Sequence, residues 1–443
     1  MKIALDVRRI RDFGVGTYIR NLLQAMAAEN APHRFHLICS AEDRQQLPVL
    51  PANFQVEIYN RRDSSRLDHY SLPRLLRKLH VDLTHIPFHR VPLLMAKPYV
   101  VTIHDLSSLF YDDATGILHA ARVFRLKRGL ERASRVIAVS GATRRDVVNL
   151  VPQAADRVRL IYNAPDPQFI ARGVLTAAGS AAATARERHR ILERYQIRYP
   201  FLLYAGSIRP QKNIPRLIEA FAVVRQKLED HGGYKDLRLI IIGDDISRYP
   251  NVRRAVIQSR VEHCVRFLGF IPLETLRVFH ELATAFVFPS LYEGFGLPPL
   301  EAMASGTPVI ASEVSSLPEV VGGAAMLVNP ENVFDIARGI TEVLLNPELR
   351  DEMITKGRRQ AARFSWARTA REVLAVYDEA AGREPFTAAV PAPRPGNRAK
   401  RVLSGRCERR RNARTRPRRR QLHCVGRKKS AAHPPYRAPE NSG

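Results

Sequence analysis

No apolar run in this chain reaches the roughly 20 residues that a membrane-spanning helix needs. The first residues enter a strand pattern at once, over 3–7, with neither the charged nor the apolar region of a secretory signal. Cysteine is scarce. Cys39, Cys264, Cys407 and Cys424 lie far apart without metal-ligand spacing, so no metal site is expected. Cys39 and Cys264 read as packing residues of a reducing compartment. A dinucleotide fingerprint is also missing: Gly14 and Gly16 follow the first strand, but no third glycine and no acidic ribose ligand come after them. A nicotinamide cofactor is therefore not expected. Together these absences predict a cytoplasmic protein.

Positive charge is abundant but unevenly spread. The net charge is +27. Residues 1–165 hold 25 Lys+Arg against 15 Asp+Glu, residues 166–382 hold 27 against 25, and residues 383–443 hold 18 against 3. More than half of the excess sits in the last segment. That distribution argues against nucleic acid as the partner, and no nucleic-acid-binding module is visible. A basic first half suits an anionic acceptor or an anionic membrane surface, and a solvated basic face explains it equally well. Residues 118–135, with Arg122, Arg125, Lys127, Arg128, Arg132 and Arg135 among apolar positions, read either as an amphipathic basic helix touching anionic lipid or as an ordinary solvated helix.

At 443 residues the chain exceeds one ordinary core, so two domains are expected. Strand patterns at 3–7, 34–39, 54–58, 81–85, 99–103, 135–139 and 157–163 alternate with helical ones at 18–28, 72–79, 118–133 and 140–148. The same alternation resumes from residue 201. It predicts an α/β protein of two parallel, doubly wound sheets. The divisions are an acceptor-side domain over 1–165, a linker with a lead-in helix over 166–199, and a second domain over 200–365. A crossover helix over 366–382 and a basic tail over 383–443 complete the chain. The tail is rich in arginine and proline without apolar periodicity, which predicts disorder. Its removal after Arg383 is expected to leave turnover intact; loss of turnover in a folded truncation would overturn that expectation.

The most informative stretch is 286–312, FVFPSLYEGFGLPPLEAMASGTPVIAS. An apolar run over 285–288 reads as a strand buried on both faces. A glycine loop with Gly294 and Gly296 follows, then Pro298 and Pro299, which suit the first turn of a helix. A helix is read over 300–305 and a second strand over 307–312. Anions bind where such a loop meets a helix N-terminus. Glu293 and Glu301 frame the loop, and carboxylates there can accept hydrogen bonds from vicinal sugar hydroxyls. Either glutamate taken alone has a plain alternative, Glu293 as a solvated loop residue and Glu301 as a charge favouring a helix start. Similarly, the turn 206–213 (GSIRPQKN) after the strand 201–205 sets Arg209 and Lys212 where cations suit a diphosphate.

This stretch closely resembles the signature of the family 4 glycosyltransferases, and in particular bacterial mannosyltransferase-like group 1 enzymes. These are retaining enzymes of the GT-B fold that use nucleotide-sugar donors, and the similarity runs from the N-terminus to about Tyr377. The resemblance implies two Rossmann-like domains facing a cleft, with the final helix crossing back to the first. It implies that Glu293 contacts the donor sugar and Glu301 the ribose. His104, within VVTIHDL, would contact the sugar from the first domain, with Asp105 orienting its loop. Lys212 and Arg209 would stabilise the departing diphosphate. The family's usual arginine position is occupied by Ser207, and Arg209 would supply the charge from two residues further on. His104, Arg209, Lys212 and Glu293 are thus the expected catalytic residues. Gly14, Gly16, Ser207, Ile271, Phe295, Gly296, Leu297 and Glu301 are the expected donor-binding ones; Phe270 and Ile271 would line the base pocket by resemblance, and as apolar residues they read equally well as core. His85 and His89 are read as lining residues on the acceptor side, poorly spaced for a metal.

The expected activity is transfer of a hexose with retention to a glycan, lipid-linked or small-molecule acceptor, in cell-surface polysaccharide synthesis. The donor is a GDP- or UDP-sugar acting as substrate, with no cofactor; the TIHDL context leans towards mannose by resemblance. The enzyme would work in the cytoplasm, with peripheral contact at the inner face of the membrane. Two other classes are open at this point. One is a nucleotide-sugar epimerase or phosphorylase on the same architecture, which would act on donor without an acceptor. The other is a basic nucleic-acid-binding protein, which filter binding with and without the tail would reveal.

Overall fold

The computed structural model describes residues 1–111, 116–170 and 178–384. Residues 171–177 of the linker's alanine-rich run and nearly all of the basic tail, for which disorder is expected, lie outside these residues; the rest of that run belongs to the helix Ala178–Arg194, which starts before the charged segment.

Seven short strands form the first sheet, buried in its middle and partly exposed at its two edges. They are Lys2–Asp6 (β1), Arg34–Cys39 (β2), Phe54–Ile58 (β3), Leu83–Ile86 (β4), Tyr99–Ile103 (β5), Arg135–Ala138 (β6) and Val158–Leu160 (β7). The spatial order is β3-β2-β1-β4-β5-β6-β7, and every pairing is parallel. A second parallel sheet has six strands: Phe201–Ala205 (β8), Arg238–Ile242 (β9), Val265–Gly269 (β10), Ala285–Phe288 (β11), Val309–Ser312 (β12) and Met326–Val328 (β13). Its order is β10-β9-β8-β11-β12-β13. Central strands such as β8 and β11 are buried at every position. Parallel strands covered by helices on both faces produce such unbroken apolar runs, which is why they were legible without alternation.

Both sheets reverse direction in their strand order, at β1/β4 and at β8/β11. Ligands of open α/β sheets bind at such switch points, beyond the carboxyl ends of the strands. The loops after β1, β5, β8 and β11 carry the residues of interest.

Several boundaries differ from expectation. The helix after the glycine loop is Leu297–Ser305, three residues longer at its start than read, because Gly296 at φ 104° serves as its N-cap. Both prolines then fall in the first turn, where no N–H is missed. The strand read over 307–312 begins only at Val309. His85 is not at a lining position. It lies inside β4, fully buried, with Nδ1 bonded to the Tyr377 hydroxyl at 2.6 Å and Nε2 to Thr102 Oγ1 at 2.8 Å. Burial pushes its ring down to about 3, so it is a neutral core link.

Tyr377 belongs to the last described helix, Trp366–Ala380. That helix packs on the first sheet: Trp366, Ala370, Val373 and Leu374 share one core with Ile3, Leu5 and Leu22. Trp366 Nε1 donates to the Pro165 carbonyl at 3.1 Å, and Thr369 Oγ1 to that of Tyr162 at 2.7 Å. Cys39 is buried in the first domain and Cys264 half-buried in the second. Among the described residues no helix is long and apolar enough to cross a membrane.

Candidate active site

The turn after β8 is built by close backbone approach. A Cβ placed on Gly243 would overlap the Gly206 carbonyl oxygen, so glycine there lets the loops after β8 and β9 lie side by side. Ser207 contributes no charge, and its carbonyl accepts from the Tyr204 hydroxyl at 2.7 Å. Arg209 is exposed, and its charge reaches the Tyr249 hydroxyl, which is bonded to Asp244 at 3.2 Å. Lys212 ends the short 3-10 turn Pro210–Lys212. Its Nζ is paired with Glu293 Oε1 and stands 5.4 Å from the centre of the Phe288 ring. The Leu291 N–H donates to the Gln211 carbonyl at 2.8 Å, which ties the lysine loop to the glutamate loop. A cation held by one carboxylate and an aromatic face is ready to exchange that carboxylate for an incoming anion.

The loop after β11 has its carbonyls occupied by protein. Ser315 Oγ donates to the Glu293 carbonyl at 2.6 Å, and Ser316 Oγ donates to those of Glu293 and Phe295 at 3.0 and 2.9 Å. The Phe295 ring packs against Phe364 at 5.7 Å and Tyr162 at 6.3 Å, away from solvent. Only its backbone is therefore available to a donor. The same holds for Ile271, whose side chain is part of the second core. Gly296 and Leu297 open the helix whose N-terminal N–H groups lack partners within it.

Glu301 lies on the buried face of that helix, 9% exposed, beside Asp166. Desolvation first, and the Asp166 charge second, push its carboxyl up to about 8, although the Asp166 N–H opposes this. Asp166 is itself fixed by Asn21 Nδ2, which donates to its Oδ2 at 3.1 Å. Glu301 is consequently a neutral acid at pH 7. It can donate one hydrogen bond and accept another, which suits a vicinal diol.

The first domain meets this loop directly. A Cβ on Gly294 would overlap the His104 carbonyl oxygen, so the two backbones touch only because residue 294 is glycine. Thr143 Oγ1 donates to the Gly294 carbonyl at 3.0 Å. His104, just beyond β5, has Nε2 3.1 Å from the Pro87 carbonyl and its ring 4.8 Å from that of Tyr18. A carbonyl only accepts, so Nε2 carries the hydrogen. Burial holds the ring down at about 4, leaving it neutral with Nδ1 as an acceptor. Asp105 Oδ1 receives the Ser107 N–H at 2.8 Å and so shapes the loop. Gly14, at φ 70°, caps the helix Val15–Ala28 (α1). Gly16 sits inside α1 against the Ile10 carbonyl, a packing position.

Several residues of the cleft were not found from sequence. The Tyr292 hydroxyl bonds to Asp146 Oδ2 at 2.6 Å and receives the Leu106 N–H at 3.3 Å, joining the domains beside Glu293. Glu319 accepts from the Gly141 N–H at 2.9 Å, at the start of the helix Gly141–Leu150, and from the Tyr162 hydroxyl at 2.5 Å. Ser140, which the sequence already suggests as the cap of the helical pattern over 140–148, caps that helix through its side chain, accepting from the Thr143 N–H at 3.0 Å. Tyr292 precedes Glu293 directly, and that adjacency was the one available signal.

Residues 14–169 match the family model described as glycosyltransferase family 4, and residues 186–360 that described as glycosyl transferases group 1. The chain is 29% identical over 395 residues to the O-antigen chain mannosyltransferase B of Escherichia coli, covering 82% of this chain and 95% of that one. It is 31% identical over 254 residues to the serotype-specific mannosyltransferase WbdA of Escherichia coli, 54% of this chain but only 28% of that longer protein. Among solved structures, sucrose-phosphate synthase from Thermosynechococcus elongatus superposes with a TM-score of 0.66 at 22% identity, over 86% of this chain and 98% of that one. HepE of Anabaena, solved in complex with UDP-glucose, gives 0.65 at 17% identity, over 84% and 98%. These likenesses establish the fold as GT-B.

Proposed function

This chain belongs to glycosyltransferase family 4, and from that premise we propose that it transfers mannose, with retention, from a nucleoside diphosphate donor to a growing cell-surface glycan. The observation that carries the proposal is the Lys212–Glu293 pair beside the helix start at Gly296, closed over by the His104 backbone of the first domain. The donor diphosphate takes Lys212 from Glu293 and lies against the N-terminal N–H groups at Gly296 and Leu297. Glu293, released, accepts from the sugar hydroxyls, and His104 Nδ1 accepts another. Glu301 holds the ribose, and the backbone at Ile271 meets the base.

The C1–oxygen bond of the donor then breaks with its electron pair going to the diphosphate. Lys212, supported by Arg209, stabilises that growing charge, an interaction stronger in the transition state than in the ground state. The acceptor oxygen bonds to C1 on the same face and its proton passes to the departing phosphate oxygen. Because the departing phosphate oxygen takes the proton, no separate base is needed. The mannosyltransferases to which the chain is similar support the choice of sugar and of acceptor class.

The acceptor is read as lipid-linked, presented at the cytoplasmic face of the membrane to the basic first domain. The helix Gly116–Arg132, with Lys127, Arg128 and Phe124 exposed, supports this reading. Salt-sensitive binding to anionic vesicles is expected, and binding unchanged after neutralising these residues would oppose it. The main test is a thermal-shift screen of GDP-mannose, UDP-glucose and other nucleotide sugars, followed by product analysis with the preferred donor. Stabilisation by GDP-mannose and an α-linked product are expected. Donor isomerised without acceptor, or a β-linked product, would refute the proposal.

A further inference from the structure

Two phenylalanines break the rule that large apolar rings avoid water. Phe13 is 67% exposed and Phe270 is 73% exposed. They come from different domains, Phe13 from the loop between β1 and α1 and Phe270 from the residue after β10. Their ring centroids are 5.8 Å apart with planes inclined at 57°. Exposed single rings are ordinary, but two that meet each other across a cleft mouth are not scattered surface residues.

The backbone beside each ring is built alike. Phe13 is followed by Gly14 at φ 70°, and Phe270 is preceded by Gly269 at φ 65°. A Cβ at either glycine would meet nothing within 4 Å. Glycine is therefore kept for its conformation and not for want of space. Each ring is set beside a left-handed glycine turn, which fixes the direction in which its residue leaves the loop.

We propose that Phe13 and Phe270 form an aromatic clasp that stacks on the nucleobase of the donor, so that both domains hold the base. The inference rests on the donor reading above, which places the base at the neighbouring Ile271 backbone. A flat, uncharged π-face is the ligand chemistry that two facing rings recognise, and every nucleobase offers one. The clasp also explains a link between donor and closure. The second domain alone supplies one ring, and only the closed cleft supplies the other.

The test is calorimetric binding of GDP, UDP and inorganic pyrophosphate to the full chain and to Phe13→Leu, Phe270→Leu and Phe270→Trp. Each leucine variant is expected to weaken binding of the preferred nucleoside diphosphate by about tenfold or more while pyrophosphate affinity stays unchanged. Phe270→Trp is expected to keep the wild-type affinity. Equal losses for nucleotide and pyrophosphate would mean that the rings merely latch the domains together, and that overturns the clasp. Unchanged nucleotide affinity in both leucine variants overturns it too. If the wild type binds neither nucleoside diphosphate, the donor reading itself falls and the clasp with it.

Discussion

Replacing Glu301 by glutamine should stabilise this protein, by an amount that grows with pH. Glu301 is buried beside Asp166, and its carboxyl titrates at about 8 where an ordinary glutamate titrates at 4.5. The folded protein thus keeps a proton that the unfolded chain has already released anywhere between these values. Stability must fall as pH rises through that window, and it levels off above about 8. At about 1.4 kcal/mol per pH unit, the whole interval is worth about 5 kcal/mol. Glutamine cannot ionise and has no such loss. For a domain of this size each kcal/mol moves Tm by about 2–4 °C, so the gap between variant and wild type should widen by about 7–15 °C from pH 5 to pH 8.5. Paired melts of the two proteins across that range measure it, since every other titration cancels in the difference. Asp166→Asn should shift the widening to lower pH by removing the neighbouring charge. Parallel curves, or a wild type that gains on the variant as pH rises, would show that Glu301 is ionised at neutral pH and would refute the reasoning.

Other outcomes follow from the same geometry. Lys212→Met should lower kcat by about 10²–10³-fold, because it removes the cation facing the leaving diphosphate; a changed KM with kcat intact would assign Lys212 to ground-state binding alone. The ratio of kcat/KM between wild type and His104→Asn should stay constant from pH 5.5 to 8, since His104 titrates at about 4; a midpoint near 6.5 in that ratio would mean the ring is charged in the working enzyme. Gly294→Ala should cost about 100-fold or more in kcat, because the new methyl meets the His104 carbonyl and holds the cleft ajar. Small-angle scattering should show the more open molecule, and a variant with native kcat would deny that this backbone contact matters.

The legible part of this protein is the part encoded within single elements. Strands buried on both faces, such as β8 and β11, announce themselves as apolar runs, and a glycine loop before two prolines marks a helix start. Lys212 and Glu293 stand out in the sequence as candidates because each follows a strand with recognisable neighbours, and the fold brings the two together as an ion pair. The helix start itself was read three residues late, since a glycine N-cap at positive φ leaves no capping side chain to see. What stayed hidden depends on how two sheets face one another. Nothing near Glu301 in the chain signals Asp166, and nothing near Tyr292 signals Asp146; the pairs meet only when the domains close. His85 illustrates the opposite error. A histidine at a strand end suggests a residue lining the acceptor side, but Tyr377 of the helix Trp366–Ala380 engages it inside the core.

The helix Trp366–Ala380 has a consequence for biosynthesis. Trp366, Val373, Leu374 and Tyr377 complete the core of a sheet whose own strands end at Leu160. A ribosome adding about 5–20 residues per second needs about 10–40 s to make the roughly 200 residues in between. Throughout that interval the emerging first domain lacks its covering helix and bares the face meant for a tryptophan and a tyrosine. The nascent chain should therefore expose an apolar face until the helix Trp366–Ala380 has left the exit tunnel, and truncations before Trp366 should aggregate even though the strands of both sheets are present.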